Sequence, residues 1–329
     1  MNIIQVKNLK KQFRTFKKEA GLMQTIKSLI NREYVTVDAL AGVSFNVRKG
    51  EIRGFIGPNG AGKSTTIKIL SGILYPNFGE VNVNNYEPWS NREKYVKTIG
   101  VVFGQKQQLS LDLPAVDTFQ LNKTLYEIPE SNFKKNLDHY VKLMDLTEII
   151  KRPVRQLSLG EKMKCELISS LLHDPVVVFL DEPTIGLDLI SKEKIRNFIK
   201  QINKEKGTTF LLTTHDLDDI ENLCENILIL NKGRIVFDGE LSALKDQVIK
   251  TKILDIKFRE KVKDYGNVPE GIKILHEDNY SIKLEVDRNK HEIEKVLSYI
   301  IKHYPLMDIN VSSPEIETII KRIYESPAL

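Results

Sequence analysis

The chain has 329 residues, 28% of them charged and 41% hydrophobic, with a formal net charge of +5. That length and apolar content allow about two domains with real cores, and so mild a basic excess argues against nucleic acid as a partner. Cys165 and Cys224 lie far apart with no CxxC spacing, which argues against a disulfide framework or zinc site and fits a reducing compartment. The longest apolar runs, VVVFL at 176–180 and ILIL at 227–230, are far short of a membrane span. The opening MNIIQVKNLKK lacks the apolar core of a signal peptide, so a soluble, cytoplasmic chain is expected.

In chain order, IIQV at 3–6, VSFNV at 43–47 and IRGFI at 52–56 read as strands, with Lys49-Gly50 turning between the last two. GKSTTIKILSGIL reads as a helix with Ile67, Leu70 and Leu74 on one face. Strand signals then fade and helical periodicity dominates, predicting a helical lobe over about residues 107–172. VVVFL and TTFLLT (208–213) read as buried strands, each feeding a turn and then a helix. ENILILNKGRIVFDGE reads as a hairpin closed around Asn231-Lys232-Gly233. Such strand–turn–helix units predict an α/β domain over residues 1–240, a mostly parallel sheet with helices on its faces. Beyond it, ILDIKF, IKILHE and YSIKLEV alternate at period two, with a turn at Asp278-Asn279. The amphipathic KHEIEKVLSYIIKHY, the strand-like MDINVS and a last helix, PEIETIIKRIYES, follow. These elements predict a small α+β domain over residues 241–329.

The stretch GPNGAGKSTT (Gly57, Pro58, Asn59, Gly60, Ala61, Gly62, Lys63, Ser64, Thr65 and Thr66) matches G-x-x-x-x-G-K-[ST], with the required strand before it and helix after it. Its glycines let backbone amides turn inward as a nest for phosphate oxygens. Lys63 can reach the β/γ-phosphates, and the Ser64 hydroxyl suits Mg²⁺. The helix that follows points its positive end at the anion.

Asp181 and Glu182 end the run VVVFLDEP. At the carboxyl end of a buried strand, Asp181 is placed to hold Mg²⁺ through water, and Glu182 to polarise an attacking water. His215 follows TTFLLTT in a similar place. A lone histidine is more often a core or surface residue, but at a strand end beside Asp181 its ring would approach a γ-phosphate. Gln105, in VVFGQKQQL, is a candidate for metal or water contact, or a polar loop residue beside Gln107 and Gln108. LSLGE (157–161) opens the helical run EKMKCELISSLL. It is either a cap within its own chain or a contact on something bound elsewhere.

Together these residues resemble the nucleotide-binding subunits of ABC transporters, which are P-loop ATPases. GPNGAGKST resembles the Walker A motif, VVVFLDEP Walker B, IGLD (ending at Asp188) the D-loop and TTHD the switch histidine, while LSLGE stands where the family has LSGGQ. The resemblance implies a Mg²⁺-dependent ATPase on the inner face of a membrane. It would work with a second ATP-binding subunit and an integral membrane permease. Two such domains close head to tail, so Ser158 and Gly160 of one would cap the ATP cradled by the other. VVFGQKQQLSLDLPAVDTF, the N-terminal insert and the C-terminal domain are similar to an ABC-2-type exporter branch.

Several residues depart from the family pattern. Leu159 replaces the first signature glycine and resists a positive φ; Glu161 replaces the glutamine and adds charge near a triphosphate. Gly104 is one residue more than the usual spacing before Gln105, which predicts a repositioned loop. The adenine-stacking aromatic falls to Phe13, with Tyr34 as second choice, on either side of an insertion. That insertion, RTFKKEAGLMQTIKSLINREY, is basic and amphipathic through Leu22, Ile26, Leu29 and Ile30. It suits packing on its own domain or a membrane surface. The rival function is a soluble ABC-type ATPase acting on ribosomes or DNA, weakened here by a single motif set and no sustained heptads. A regulatory subunit, sensing through the C-terminal domain, is a third reading.

Overall fold

The computed structural model describes residues 1–16, 34–104, 107–248, 251–262, 269–312, 314 and 316–325. They divide into two compact units, Met1–Gly239 and Glu240–Leu329.

The first unit opens with β1 (Asn2–Phe16) and β2 (Tyr34–Arg48), an antiparallel pair. After β3 (Ile52–Ile56) and α1 (Lys63–Leu70) comes β4 (Phe78–Val83), which pairs with the other side of β1. This three-stranded sheet was not legible in the sequence. FGEVNV carries only three strong apolar residues, and its hydrogen-bonding partner lies about seventy residues upstream, so Phe78–Val83 is recognisable as a strand only once β1 lies beside it. Ile4, Val6, Leu9, Val43, Phe45, Val81 and Val83 share one buried cluster with Phe55, Ile67, Leu228 and Leu230. The antiparallel sheet is thereby fastened over the main sheet.

The main sheet has six strands in the order β5-β6-β7-β3-β8-β9, where β5 is Ile99–Phe103, β6 Val177–Asp181, β7 Thr209–Thr213, β8 Asn226–Asn231 and β9 Arg234–Glu240. β5, β6, β7, β3 and β8 run parallel. Every residue of β7 is buried, as expected for a parallel strand covered on both faces. The β8–β9 turn has Lys232 at φ 46° and Gly233 at φ 73°, the left-handed pair of a type I′ hairpin. In register, Phe103 is level with Asp181, Asp181 with Thr213 and Thr213 with Phe55. Four chain segments therefore leave the sheet side by side at its carboxyl edge, where ligands of open α/β sheets bind.

Helix α1 ends at Leu70, four residues short of the sequence-based expectation. Gly72 (φ 71°) donates to Ile69 O, and Ile73 N to Lys68 O, a Schellman stop that a helical apolar pattern does not reveal. Between β5 and β6 lie α3 (Ala115–Leu125), α4 (Glu130–Leu143) and α5 (Leu159–Leu171), with the short α2 (Arg92–Val96) ahead of β5. α6 (Leu189–Lys206) and α7 (Leu217–Leu223) follow β6 and β7.

The second unit contains α8 (Leu241–Val248), β10 (Thr251–Phe258), β11 (Ile272–Glu277), β12 (Ser281–Asp287), α9 (Ile293–His303), β13 (Leu306–Ser312) and α10 (Ile316–Glu325). Its antiparallel sheet has the order β11-β12-β10-β13. Leu254, Ile256, Phe258, Ile282, Leu284 and Val286 form its core with Ile300 of α9. Asp278 Oδ1 accepts from the amides of Tyr280 and Ser281 and closes the β11–β12 turn.

Candidate functional site

The loop Gly57–Gly62 leaves β3 and enters α1 through Gly62 at φ 111°. A Cβ there would sit 2.5 Å from the Ala39 carbonyl oxygen, so both the backbone angle and the close approach of β2 require glycine. Ala61 N bonds to Pro58 O (3.1 Å), Gly233 N to Ala61 O (3.0 Å) and Ala41 N to Gly233 O (2.8 Å). The loop is thus held by β2 and the β8–β9 turn. Pro58, Asn59 and Gly60 are exposed at its mouth, whereas Gly57, Ala61, Gly62 and Lys63 are buried. Thr66 spends its hydroxyl on Gly62 O at 3.0 Å, a bond within the first helical turn; Thr65 is half-buried.

Lys63 is 5% exposed, and its Nζ donates to Gly57 O at 2.6 Å and Pro58 O at 3.3 Å. The ammonium is folded back inside the loop that an anion would fill. Burial lowers its pKa, opposed by the Glu182 and Asp181 carboxylates; a bound polyphosphate would add the compensating charge that burial demands. Ser64 Oγ donates to Asp181 Oδ1 at 3.0 Å, and Thr213 Oγ1 donates to the same oxygen at 2.6 Å. Hydroxyl and carboxylate oxygens converging at the loop are the hard donor set that Mg²⁺ takes together with phosphate oxygens, so these residues fit ATP with Mg²⁺.

Glu182 adopts φ 55°, a left-handed conformation uncommon for a residue with a side chain and typical of functional sites. Its amide is anchored to Thr213 O (3.0 Å) and Thr213 Oγ1 (3.1 Å), and its Oε1 lies 3.5 Å from His215 Nδ1. Thr213 therefore fixes both carboxylate-bearing residues. Sequence reasoning passed over it; the doubled Thr213-Thr214 ahead of His215 was the available signal. Behind this edge, Asp219 is fully buried and accepts from the Thr184 hydroxyl, from Thr214 Oγ1 (3.3 Å) and from Arg196 Nη1 (3.1 Å). Burial pushes its carboxyl pKa up, against the pull of Thr184 and Arg196. The cluster joins the segment after Glu182 to the segment before His215, and it too escaped the sequence, because its four residues come from four places in the chain.

Gln105 lies outside the described residues. The neighbouring Gly104 donates its amide to Asp181 O at 2.8 Å, and a Cβ on it would sit 2.6 Å from Glu182 O. Gly104 thus lets β5 end flush against the end of β6.

The signature residues form a second group. Ser158 caps α5, accepting from Glu161 N at 3.2 Å while Glu161 Oε2 accepts from Ser158 N at 2.7 Å, a complete capping box. The cap within its own chain is therefore realised, and it leaves the Ser158 hydroxyl proton free to donate. Glu161, expected to add charge near a triphosphate, turns its carboxylate back onto its own helix start. Leu159 occupies the first helical turn with no positive φ, so the expected backbone conflict does not arise in this conformation. Leu159 is half exposed, and a Cβ on Gly186 would meet its Cδ2 at 3.3 Å. Gly160 packs so closely on Ser191 that a Cβ would clash with its hydroxyl. Asp188 caps α6, accepting from Ser191 N (2.9 Å) and Ser191 Oγ (2.7 Å), bonds that hold its carboxyl below the usual range. Ser158, Gly160 and Asp188 thus share one corner, where Leu189 and Ile190 are 70% and 79% exposed.

Phe13 pairs with Val37, two residues along β2 from Ala39, whose carbonyl abuts Gly62. The residue is 37% exposed, with Lys11 Nζ 5.4 Å from the ring centroid. The side chain of Tyr34 and most of the insertion, including Leu22, Ile26, Leu29 and Ile30, lie outside the described residues. Both cysteines are free and buried. Among the described residues no helix is long and apolar enough to cross a membrane.

A family model described as ABC transporter matches residues 40–185. Among curated proteins, the ABC transporter ATP-binding protein NatA of Bacillus subtilis (strain 168) is 30% identical over 208 residues, covering 63% of this chain and 84% of that protein. The linearmycin resistance ATP-binding protein LnrL of the same organism is 29% identical over 300 residues, covering 88% of this chain and 94% of that protein. Among solved structures, a dimeric ATP-binding cassette in a post-hydrolysis state bound to ADP and Pi superposes with a TM-score of 0.60 at 26% identity, covering 72% of this chain and 98% of the other.

Proposed function

Since the chain belongs to the ABC transporter ATP-binding family and is an ATPase with a P-loop fold, we propose that it powers a separate membrane permease, outward, by ATP-driven head-to-tail closure of two subunits. The observation that carries this reading is the convergence of Lys63, Ser64, Asp181 and Glu182 at the carboxyl edge of one sheet, with Thr213 tying Asp181 to Glu182. Bound ATP would lie on the amides of Gly57–Thr65 with Lys63 on its terminal phosphates. Mg²⁺, held by Ser64, Asp181 and Gln105, would neutralise charge on those phosphates. Glu182 would polarise the attacking water and His215 would steady the γ-phosphate.

The second subunit enters through the exposed corner. Ser158 keeps a proton to donate, Gly160 N belongs to the unpaired first turn of α5, and the helix dipole points outward there. A γ-phosphate presented by a second copy would complete that corner, with Asp188 nearby. On the helical lobe, Leu111, Leu113, Leu121 and Leu125 are 48–62% exposed in the segment after Gln105, and apolar exposure on this scale suits a membrane-protein partner. Outward direction is supported by LnrL, named for resistance, whose match covers 88% of this chain and so reaches past the 239 residues of the first unit. Work at the inner face of the membrane follows from that partnership.

The test is affinity capture of Glu182→Gln with ATP from mildly solubilised membranes of the native cells, followed by mass spectrometry. Recovery of a multi-span protein is expected. Recovery of ribosomal or DNA-bound partners with no membrane protein would overturn the transporter reading in favour of a soluble ATPase.

A further inference from the structure

Glu166, on α5, is 4% exposed, and the nucleotide chemistry above leaves it unused. Its Oε1 accepts from the amides of Gln108 (2.7 Å) and Leu109 (3.2 Å). Oε2 is buried with no partner among the described residues. Burial pushes the carboxyl pKa up, against the two amide bonds. A neutral acceptor would hold two amides at lower desolvation cost; a carboxylate holds them more strongly. The segment it grips is bound elsewhere to the same arm, because Arg155 N donates to Leu111 O (2.9 Å) and Val154 N to Leu113 O (3.0 Å). Residues 108–113 are therefore fastened at three points to the stretch 154–166 that carries Ser158 and Gly160. At the other end, Gly104 N is fastened to Asp181 O, and Gln108 Nε2 reaches Val101 O of β5 at 2.6 Å. In sequence, Gln105 lies between the anchor on the catalytic strand and the anchor on the signature helix.

We propose that Glu166 is a positioning residue that locks residues 108–113, and through Gln108 the strand β5, to the signature helix, so that contact of the signature with one nucleotide is transmitted to the sheet edge that holds the other. The proposal rests on the head-to-tail closure inferred above. Glu166 lies eight residues beyond Ser158, about 12 Å along a helix rising 1.5 Å per residue. A shift of the helix start is carried through the rigid helix to the amides of Gln108 and Leu109. The carboxylate makes no contact with nucleotide and acts through the loop.

The test compares E166M, which keeps the bulk and removes the acceptor, with E166Q, whose amide oxygen can still take both N–H groups. In the purified full-length chain, E166M is expected to lower kcat about tenfold or more and bring the Hill coefficient for ATP toward one, with nucleotide Kd unchanged. E166Q is expected to recover kcat to within about threefold. Hydrogen exchange in the Glu182→Gln background supplies a readout independent of turnover: ATP should change protection at Gln108 and Leu109 together with the start of α5, and E166M should uncouple them. Unaltered turnover and cooperativity in E166M, or an E166Q as impaired as E166M, would overturn the proposal. A wild-type chain that hydrolyses no ATP would overturn the functional reading instead, so the two failures are distinguishable.

Discussion

The phosphate cradle and the signature corner use the same physical parts, a helix N-terminus with glycines and hydroxyls beside it, and they differ in what surrounds them. At the cradle, Lys63 is buried, Asp181 holds two hydroxyls, and the Glu182 backbone is pinned by Thr213. At the corner, Ser158 and Asp188 cap their own helices while Leu159, Leu189 and Ile190 face outward. One is assembled around an acceptor shared between strands; the other satisfies its own helix starts and leaves apolar side chains exposed beside them. An exposed helix start with its cap already made costs the chain little, so the corner keeps its form without further contacts.

The largest expected effect breaks the cradle without dismantling it. Glu182→Gln should cut turnover by about 10²–10⁴ while ATP binding persists, read as steady-state hydrolysis beside equilibrium binding. An active variant would remove Glu182 from the role of base. Ser158→Arg attacks the corner and should lower hydrolysis by about 10²–10³, because it removes the hydroxyl donor and sets a bulky cation against the positive end of the helix dipole. Nucleotide Kd of the isolated subunit should not change. If the monomer lost ATP binding as well, the two regions would be one site, and the contrast would collapse.

Phe13→Ala sharpens the comparison at the rim of the cradle. Loss of a stacking ring should weaken ATP binding about tenfold with kcat at saturation unaltered, as measured by titration of a fluorescent nucleotide; an unchanged Kd would return Phe13 to simple hairpin packing. The smallest effect concerns Glu166, whose folded pKa is raised. A carboxyl raised in this way contributes stability below its unfolded pKa and loses it as pH rises toward the folded value. Glu166→Gln has no such loss, so its melting temperature relative to wild type should climb by a few degrees between acidic and neutral pH. A gap independent of pH would mean that burial does not tax this carboxylate.

The cradle was legible because its chemistry is local. Gly57 to Thr66 are contiguous, and a nest of amides followed by a helix start needs no residue from elsewhere to be recognised. Asp181 and Glu182 were legible for a related reason, as carboxylates ending an apolar run that reads as a buried strand. The cap by Ser158 was equally local, but the part taken by Glu161 was missed: its charge was expected near a triphosphate, and the Ser-x-x-Glu spacing was the available signal.

Tertiary structure decided the remainder. The Thr213 hydroxyl matters because β7 lies beside β6 in register, and no periodicity in TTFLLTT states which strand will be its neighbour. β4 becomes a strand only against β1, seventy-odd residues away. Asp219, Arg196, Thr184 and Thr214 are ordinary helix and loop residues until the fold buries them together; Glu166 is one polar residue in an amphipathic helix until residues 108–109 cross over it. The sequence by itself determined a loop of backbone amides and a helix start suited to phosphate, because both act over a few residues. Only the folded chain decided what keeps that site in register, because strand order and burial join residues that the sequence keeps far apart.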